Sequence, residues 1–478
     1  MSEARDHFIE GRLAAPSSGR YLDTYNPRTA GRAGSVAAGS AADVDKAVAS
    51  SVAALAAWRE RKPVERGRVL MKIAAGIRAH IETLSAIEAA ETGKPSWQTP
   101  FEIEYAAQYF EFYGGLVNLF RGETIDIGPG YHSYTVHEPF GAIGVILPWN
   151  APLNQAARGI APALAAGNTV VAKPSEFTSG SLVALARICV EECDLPAGVV
   201  NVVLGAGDEA GAALVSHPGI RKVAFTGSVR AGQRIGHLAA DKIMPLTLEL
   251  GGKSPNIIFE DADLSKAIPG AVRAFVMNAG QICTAGTRCL VQRSVYEDVL
   301  QGLKAGAETL KLGPDPDAQM GPLTTQAQFE KVQRYFDIAR SEGVRIVTGG
   351  DMPAEKTPGE GWFVPPTIYA DVRNDMRIAR EEIFGPVVSV IPFDDEAEAV
   401  RIANDTDYGL AAGLWTENLS RAHRVASCLQ AGQIYVNEYQ AGGVETPLGG
   451  YKKSGYGREK GIEALRNYTQ LKCVTMKL

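Results

Sequence analysis

Apolar residues recur at helical spacing through residues 42–119. "DVDKAVASSVAALAAW" carries such a stripe and predicts a helix capped by Asp43. "PVERGRVLMKIAAGIRAHIETLSAIEAAETG" keeps the period up to Gly93 and predicts one long helix. "TPFEIEYAAQYFEFYGGLVNLF" adds an aromatic helical face, read as core packing in preference to a ligand platform. The period changes at 121–140, where two alternating segments flank Gly128-Pro129-Gly130 and predict a hairpin.

Strands and helices then alternate. "GAIGVILPWN", "NTVVAKPSE", "GVVNVVLG", "KVAFTG" and "MPLTLELGG" read as strands. "QAARGIAPALAAG", "SGSLVALARICVEECD" and "VRAGQRIGHLAAD" read as the helices between them. This rhythm predicts a mostly parallel, helix-covered sheet over about 141–250. A second α/β region begins near 253. It has a strand in "SPNIIFE", a helix over 263–282 leading to Cys283, and a strand and helix in "RCLVQRSVYEDVLQGLKAGAETL". Further helices are predicted at 326–342, 395–403 and 420–431, with strands in "VSVIPF" and "GQIYVN". The tail, "YTQLKCVTMKL", alternates like a strand and needs a partner sheet. The fold class is therefore α/β with two unequal domains.

The chain has 478 residues, 45% hydrophobic and 21% charged, enough for two or three cores. Lys plus Arg is 48 against 54 Asp plus Glu, and no basic block stands out, so nucleic acid is not an expected partner. No run of 18 apolar residues predicts a membrane span. The opening "MSEARDHFIEGRLAAPSSGRYLDTYNP" has no apolar core of a secretory signal, and the expected location is the cytoplasm. Six cysteines are too sparse for a disulfide scaffold. Cys189 and Cys193 have no histidine pair nearby, so they read as one helix face and no metal site is expected.

Several glycine-bearing segments could carry chemistry. "GAGDEAG", 205–211, has looser spacing than a dinucleotide fingerprint and reads as a turn opening a helix. In "FTGSVRAG", 225–232, Gly227 could let helix-entrance amides approach a phosphate, or simply form a cap. In "KPSE", 173–176, Lys173 and Glu176 sit where open α/β sheets bind ligands, or form an ordinary surface pair. "NAGQICTAGTR", 278–288, holds Cys283 between glycines that permit close approach; it is a nucleophile or a buried thiol. Glu249 in "LELGGKSP" is a candidate general base, and Asn150 in "LPWNAP" a candidate oxyanion donor.

These segments, with "ETGKP" at 91–95, "EPFGAIGVILPWN" at 138–150, "EEIFGPV" at 381–387 and "PLGGYKKSGYGREKG" at 447–461, make the chain resemble the NAD(P)-dependent aldehyde dehydrogenase superfamily, in its hydrolytic, non-acylating branch. The resemblance runs from about residue 20 to the C-terminus. It implies that Cys283 attacks the aldehyde, that Asn150 and the Cys283 amide stabilise the tetrahedral oxyanion, and that Glu249 activates water to hydrolyse the thioester. It implies cofactor contacts from Pro148, Trp149, Lys173, Ser175, Glu176, Gly227, Ser228, Leu250, Glu382 and Phe384. Glu176 favours NAD over NADP, because a carboxylate there repels a 2′-phosphate. The resemblance also implies a modified Rossmann NAD domain (1–120 and 141–250) and a catalytic domain (251–440). A β oligomerisation arm (121–140 and 462–478) and a pocket and bridging segment (441–461) complete it, and the expected assembly is a homodimer or homotetramer. A cysteine-dependent amidase-type hydrolase would need Cys283 and Glu249 but not the cofactor residues. A non-catalytic protein would need none of them.

Asn154, Arg158, Ile282 and Thr284 are the expected substrate-pocket residues. Arg158 matches an arginine that holds the distal carboxylate in succinate-semialdehyde enzymes of the family, which points to a carboxylate-bearing semialdehyde. An internally paired Arg158 is the alternative. The loop "NEYQAGGVETP", 437–447, brings Glu438 and Glu445, which would repel an acid and favour a polar neutral or aromatic aldehyde.

Overall fold

The computed structural model describes residues 4–314, 317–351 and 361–478. Among them, strands build four sheets. The largest has eight strands in the order Gly455–Tyr456, Leu246–Glu249, Val223–Thr226, Ala142–Ile146, Thr169–Lys173, Val200–Val202, His7–Ile9 and Arg12–Ala14. Its five central strands, Leu246–Glu249 through Val200–Val202, are parallel. The chain leaves Ala142–Ile146 toward Thr169–Lys173 on one side and later returns to place Val223–Thr226 on the other. Carboxyl ends of strands at such a reversal are where open α/β sheets bind ligands.

A second sheet has seven strands in the order Arg345–Thr348, Thr367–Ala370, Val387–Phe393, Arg288–Gln292, Pro255–Ile258, Ala411–Trp415 and Gln433–Val436. Only Arg345–Thr348 runs antiparallel to its neighbour. Each large sheet carries its own apolar core. Arg288 helps fasten the second. Its fully buried guanidinium donates to the carbonyls of Lys253, Ile402 and Ala403 and to Asn374 Oδ1, at 2.8–2.9 Å.

The tail strand Thr469–Lys477 pairs antiparallel with Tyr131–Pro139 along nine residue pairs. Tyr131–Pro139 also pairs with Thr124–Ile125, so the expected hairpin has one short leg. A further small sheet joins Ala4–Arg5, Arg32–Ala37 and Tyr21–Tyr25.

Four sequence expectations are corrected. The first helix spans Ala41–Arg59 and is capped by Ser40, not Asp43; Asp43 is its third residue and accepts from the Ser40 amide at 2.9 Å. The long helix to Gly93 breaks at His80 into Pro63–Ala79 and Ile81–Thr92, because His80 leaves helical geometry at φ −108° and ψ 18°. The helix before Cys283 spans Leu264–Val276 and ends short of 282. Asn278, Ala279 and Gly280 follow with φ of 51°, 52° and 73°. The aromatic helix, Gln98–Leu116, has two apolar faces: Ile103, Phe110 and Tyr113 enter the core, whereas Phe101 and Tyr105 stay exposed beside a cavity.

Candidate active site

Three strand ends of the eight-stranded sheet converge. Ala142–Ile146 runs into Leu147-Pro148-Trp149-Asn150, Val223–Thr226 into Gly227-Ser228, and Leu246–Glu249 ends on the candidate base itself. Beyond Glu249, Leu250 to Ser254 cross to the first strand of the second sheet, Pro255–Ile258. Cys283 lies in the loop that enters Arg288–Gln292 of that sheet. The cysteine is thus held on the seam between the sheets.

Two cavities meet at Asn150, Gln155 and Cys283. The smaller, about 150 Å³, is lined by Pro148, Trp149, Thr226, Gly227, Ser228, Glu249, Leu250, Gly251, Gln328, Lys331, Glu382 and Phe384 as well. The Trp149 and Phe384 rings meet edge to face, 5.5 Å between centroids. Glu382 closes in because Gly251 has no side chain: a Cβ there would lie 2.3 Å from the carboxylate. The Gly252 amide donates to Glu382 Oε1 at 3.1 Å. The larger cavity, about 390 Å³, is lined by Asn154, Arg158, Ile282 and Thr284 together with Trp97, Phe101, Tyr105, Tyr109 and Tyr435.

Asn150 is oriented on both sides. Its Oδ1 accepts from Gln155 Nε2 at 3.0 Å, which fixes the amide so that Nδ2 donates to the Gln281 carbonyl at 2.8 Å. An amide nitrogen has two donors, so one is left for a further acceptor. Asn278 Nδ2 donates to the Asn150 and Gln281 carbonyls at 3.0 and 3.2 Å and ties the two loops together. Gly280 completes that tie, since a Cβ there would lie 2.1 Å from the Gly385 carbonyl oxygen. The helix after Asn150, Pro152–Ala165, is anchored by buried Glu88, which accepts from the Leu153 amide at 2.6 Å and from Ser181 Oγ at 2.9 Å.

The electrostatics favour neutral resting groups. Burial pushes the Cys283 thiol up to about 11; Arg158 and the Thr284 amide oppose it, while Glu249 and Glu382 add to it. Burial also holds the Glu249 carboxyl well above the usual carboxylate range, and Glu459 adds to that; Arg158 and Arg458 oppose. Neither Glu249 oxygen has a hydrogen-bond partner. A buried carboxyl without partners is costly unless the site holds something for it.

Three expected cofactor residues, Lys173, Ser175 and Glu176, line neither cavity. They sit one strand over, at the end of Thr169–Lys173. Lys173 Nζ donates to the Pro174 carbonyl at 2.9 Å and lies 3.8 Å from Glu176 Oε2. Ser228 caps the helix Val229–Ala240, its hydroxyl accepting from the Ala231 amide at 3.3 Å. Arg158 takes the internally paired alternative. Its guanidinium is buried and ion-paired with Glu459, and Nη2 donates to Thr226 Oγ1 at 3.0 Å. Burial works against the Arg158 charge, but Glu459, Tyr109 and Glu249 more than offset it and raise its pKa. The charge expected to meet a substrate carboxylate is therefore already answered. Glu459 escaped sequence reading because nothing local in "GREKG" tells which side chain turns inward. Gln155 did carry a signal, the second of two adjacent polar residues, Asn154 and Gln155, in an otherwise apolar helix start five positions after Asn150.

The aldehyde dehydrogenase family model matches residues 14–474. A betaine aldehyde dehydrogenase of Cereibacter sphaeroides is 44% identical over 98% of this chain and 97% of its own length. An aldehyde dehydrogenase of Emericella nidulans is 42% identical over 98% of this chain and 95% of its own. The NAD+ complex of an aldehyde dehydrogenase from Bacillus cereus, 42% identical, superimposes with a TM-score of 0.97 over 100% of this chain and 97% of the other. With the whole length matched and a thiol, an unpartnered carboxyl and an amide donor gathered where two cavities join, the chain belongs to the aldehyde dehydrogenase family and is an NAD-dependent oxidoreductase of aldehydes.

Proposed function

We propose that Cys283 is the nucleophile and that the two cavities divide the reactants, cofactor in the smaller and aldehyde in the larger. The meeting of both cavities at Cys283 carries this reading. The smaller cavity fits a nicotinamide: it has the ring pair Trp149 and Phe384, close backbone at Gly227 and Gly251, and the unpartnered Glu249. Pro148, Leu250, Ser228, Glu382 and Lys331 complete its wall, while Lys173, Ser175 and Glu176 hold the adenosine end one strand away. Bound NAD supplies the hydride acceptor.

Cys283 sulfur adds to the carbonyl carbon, and its proton leaves to water or to Glu249 when that carboxyl is deprotonated. The second Nδ2 donor of Asn150 and the Cys283 amide hold the oxyanion, which makes the tetrahedral carbon a hydride donor. Once oxidised, that carbon is a thioester on Cys283. Glu249, deprotonated, takes a proton from water; the hydroxide oxygen bonds to the acyl carbon, the C–S bond breaks, and the acid leaves. A dry site keeps Glu249 basic enough for that step.

The aromatic wall of the larger cavity suits an aldehyde with an aromatic or apolar body. The domain bounds 1–120 and 141–250, 251–440, and 441–461 are proposed as expected. The sheet of 121–140 with 462–478 serves as an oligomerisation arm, because Thr469–Lys477 leaves an unpaired edge for a second subunit to cover. Among the described residues no helix is long and apolar enough to cross a membrane; a cytoplasmic location and a homodimer or homotetramer are proposed as expected from the sequence. The test is formation of reduced nicotinamide with benzaldehyde. Cys283→Ala should lower turnover at least about 1,000-fold while NAD still binds; turnover near the parent's would remove Cys283 from this role.

A further inference from the structure

The wall of the larger cavity contains the ionisable side chains of Glu102, Arg158, Cys283 and Lys460, besides tyrosines. Two of the charges are answered internally. Lys94 pairs with Glu102, and Glu459 pairs with Arg158. Of the two acidic residues of the neighbouring loop, Glu438 is answered by Arg273, and Glu445 acts on Lys460 through its charge. Lys460 is left. Among the described residues its ammonium makes no hydrogen bond and no ion pair.

Local backbone explains how Lys460 comes to face the cavity. Glu459 forms a bridge with Leu448, each amide donating to the other's carbonyl at 2.7 Å. That bridge sends the Glu459 side chain inward to Arg158. Lys460 then adopts φ 61° and Gly461 φ 56°. The chain turns sharply, and the Gly461 amide returns to the Val444 carbonyl at 2.8 Å. A left-handed lysine is uncommon, and such conformations persist where the surroundings demand them. Adjacent residues thus take different tasks: Glu459 neutralises Arg158, and Lys460 brings to the cavity wall an ammonium with no ion pair among the described residues.

We propose that Lys460 anchors an anionic group at the far end of the aldehyde, so that the preferred substrates are aromatic or apolar aldehydes bearing a distal carboxylate. This rests on the assignment of the larger cavity to the aldehyde. The recognising ammonium is Lys460 and not Arg158. The aromatic wall accommodates the body, and a partly buried ammonium gains more from a carboxylate than an exposed one does. Burial, with help from Arg158, lowers the Lys460 pKa to about 8, and Glu445 opposes. Its charge, and the selectivity it confers, should therefore be full below neutrality and fade as pH rises through about 8. Arg158, Glu445 and Glu459 are the other charges near it, and Glu459 is already paired.

The experiment compares kcat/KM for 4-carboxybenzaldehyde with that for benzaldehyde, in the parent, Lys460→Met and Lys460→Arg. The parent ratio should exceed one by about ten- to a hundredfold, the range of a hydrogen bond to a charged group. Lys460→Met should bring the ratio near one, chiefly through KM for the acid. Lys460→Arg should keep most of it. Above pH 8 the parent ratio should fall while the Lys460→Arg ratio holds, since arginine stays charged; any general pH effect on Cys283 cancels in the ratio. A parent ratio at or below one, an unchanged ratio in Lys460→Met, or a flat parent profile to pH 9 would each overturn the proposal. The underlying assignment is read separately: if benzaldehyde is oxidised in a Cys283-dependent way, the site stands whatever the ratio. If no aldehyde is, both readings fall.

Discussion

The two cavities that meet at Cys283 are built differently. The smaller is walled by the ends of three neighbouring strands and by glycines that bring backbone and carboxylate close. Its acids, buried Glu249 and partly buried Glu382, are pushed toward their neutral forms. The larger is walled by one stripe of a helix, Phe101, Tyr105 and Tyr109, and by a distant loop, and most of its charges are paired within the protein. On the proposed assignment, groups that do chemistry are left electrically unfinished, whereas groups that shape a substrate are mostly settled. Chemistry and selectivity should therefore separate under mutation.

The strongest break would come from Glu249. Glu249→Gln should lower steady-state turnover by about 100- to 10,000-fold, with a first-turnover burst and acyl-Cys283 visible by mass spectrometry after quenching. Because the Glu249 pKa is raised, parent deacylation should climb with pH as the carboxyl loses its proton, and the variant should lack that climb. The loss should be equal for all aldehydes; a loss that depended on the aldehyde would erase the division between the cavities. Asn150 sharpens the comparison, since it borders both. Asn150→Ala should cost about 100- to 1,000-fold in kcat for every aldehyde. A change confined to KM would make it a binding residue only. The smallest effect belongs to Glu176. Glu176→Ser should shift the NAD-to-NADP ratio of kcat/KM by about tenfold toward NADP, measured with one aldehyde, and leave the aldehyde ranking alone. A parent that prefers NADP would defeat it.

The same division decided what could be read from sequence. Pro148 to Asn150, Gly227, Glu249 and Cys283 each lie at or near a strand boundary, so a local pattern of apolar run, glycine and polar residue raised them as candidates, and the family resemblance supplied their roles. The parallel sheet was legible for the same reason. The pairing of Arg158 with Glu459 was not, because it joins segments that only the folded chain brings together. The stripe of Phe101, Tyr105 and Tyr109 shares its helix with core-facing Ile103 and Phe110, and helical periodicity alone does not say which apolar face meets a cavity. The early end of the helix before Cys283 was hidden too. Asn278 and Gly280 take left-handed geometry beside tertiary partners, the Asn150 carbonyl and the Gly385 carbonyl, which local propensity does not reveal.

The raised pKa of the Cys283 thiol also bears on durability. Peroxide and other oxidants consume thiolates, and they consume accessible ones first. A thiol pushed up to about 11 is almost entirely protonated at neutral pH, so the resting protein keeps the proposed nucleophile in its less reactive form. Cys428, on the surface, is a more accessible target for the first oxidative hit. Ageing in air would then begin with a harmless modification, and bulk thiol loss would overstate the loss of active molecules.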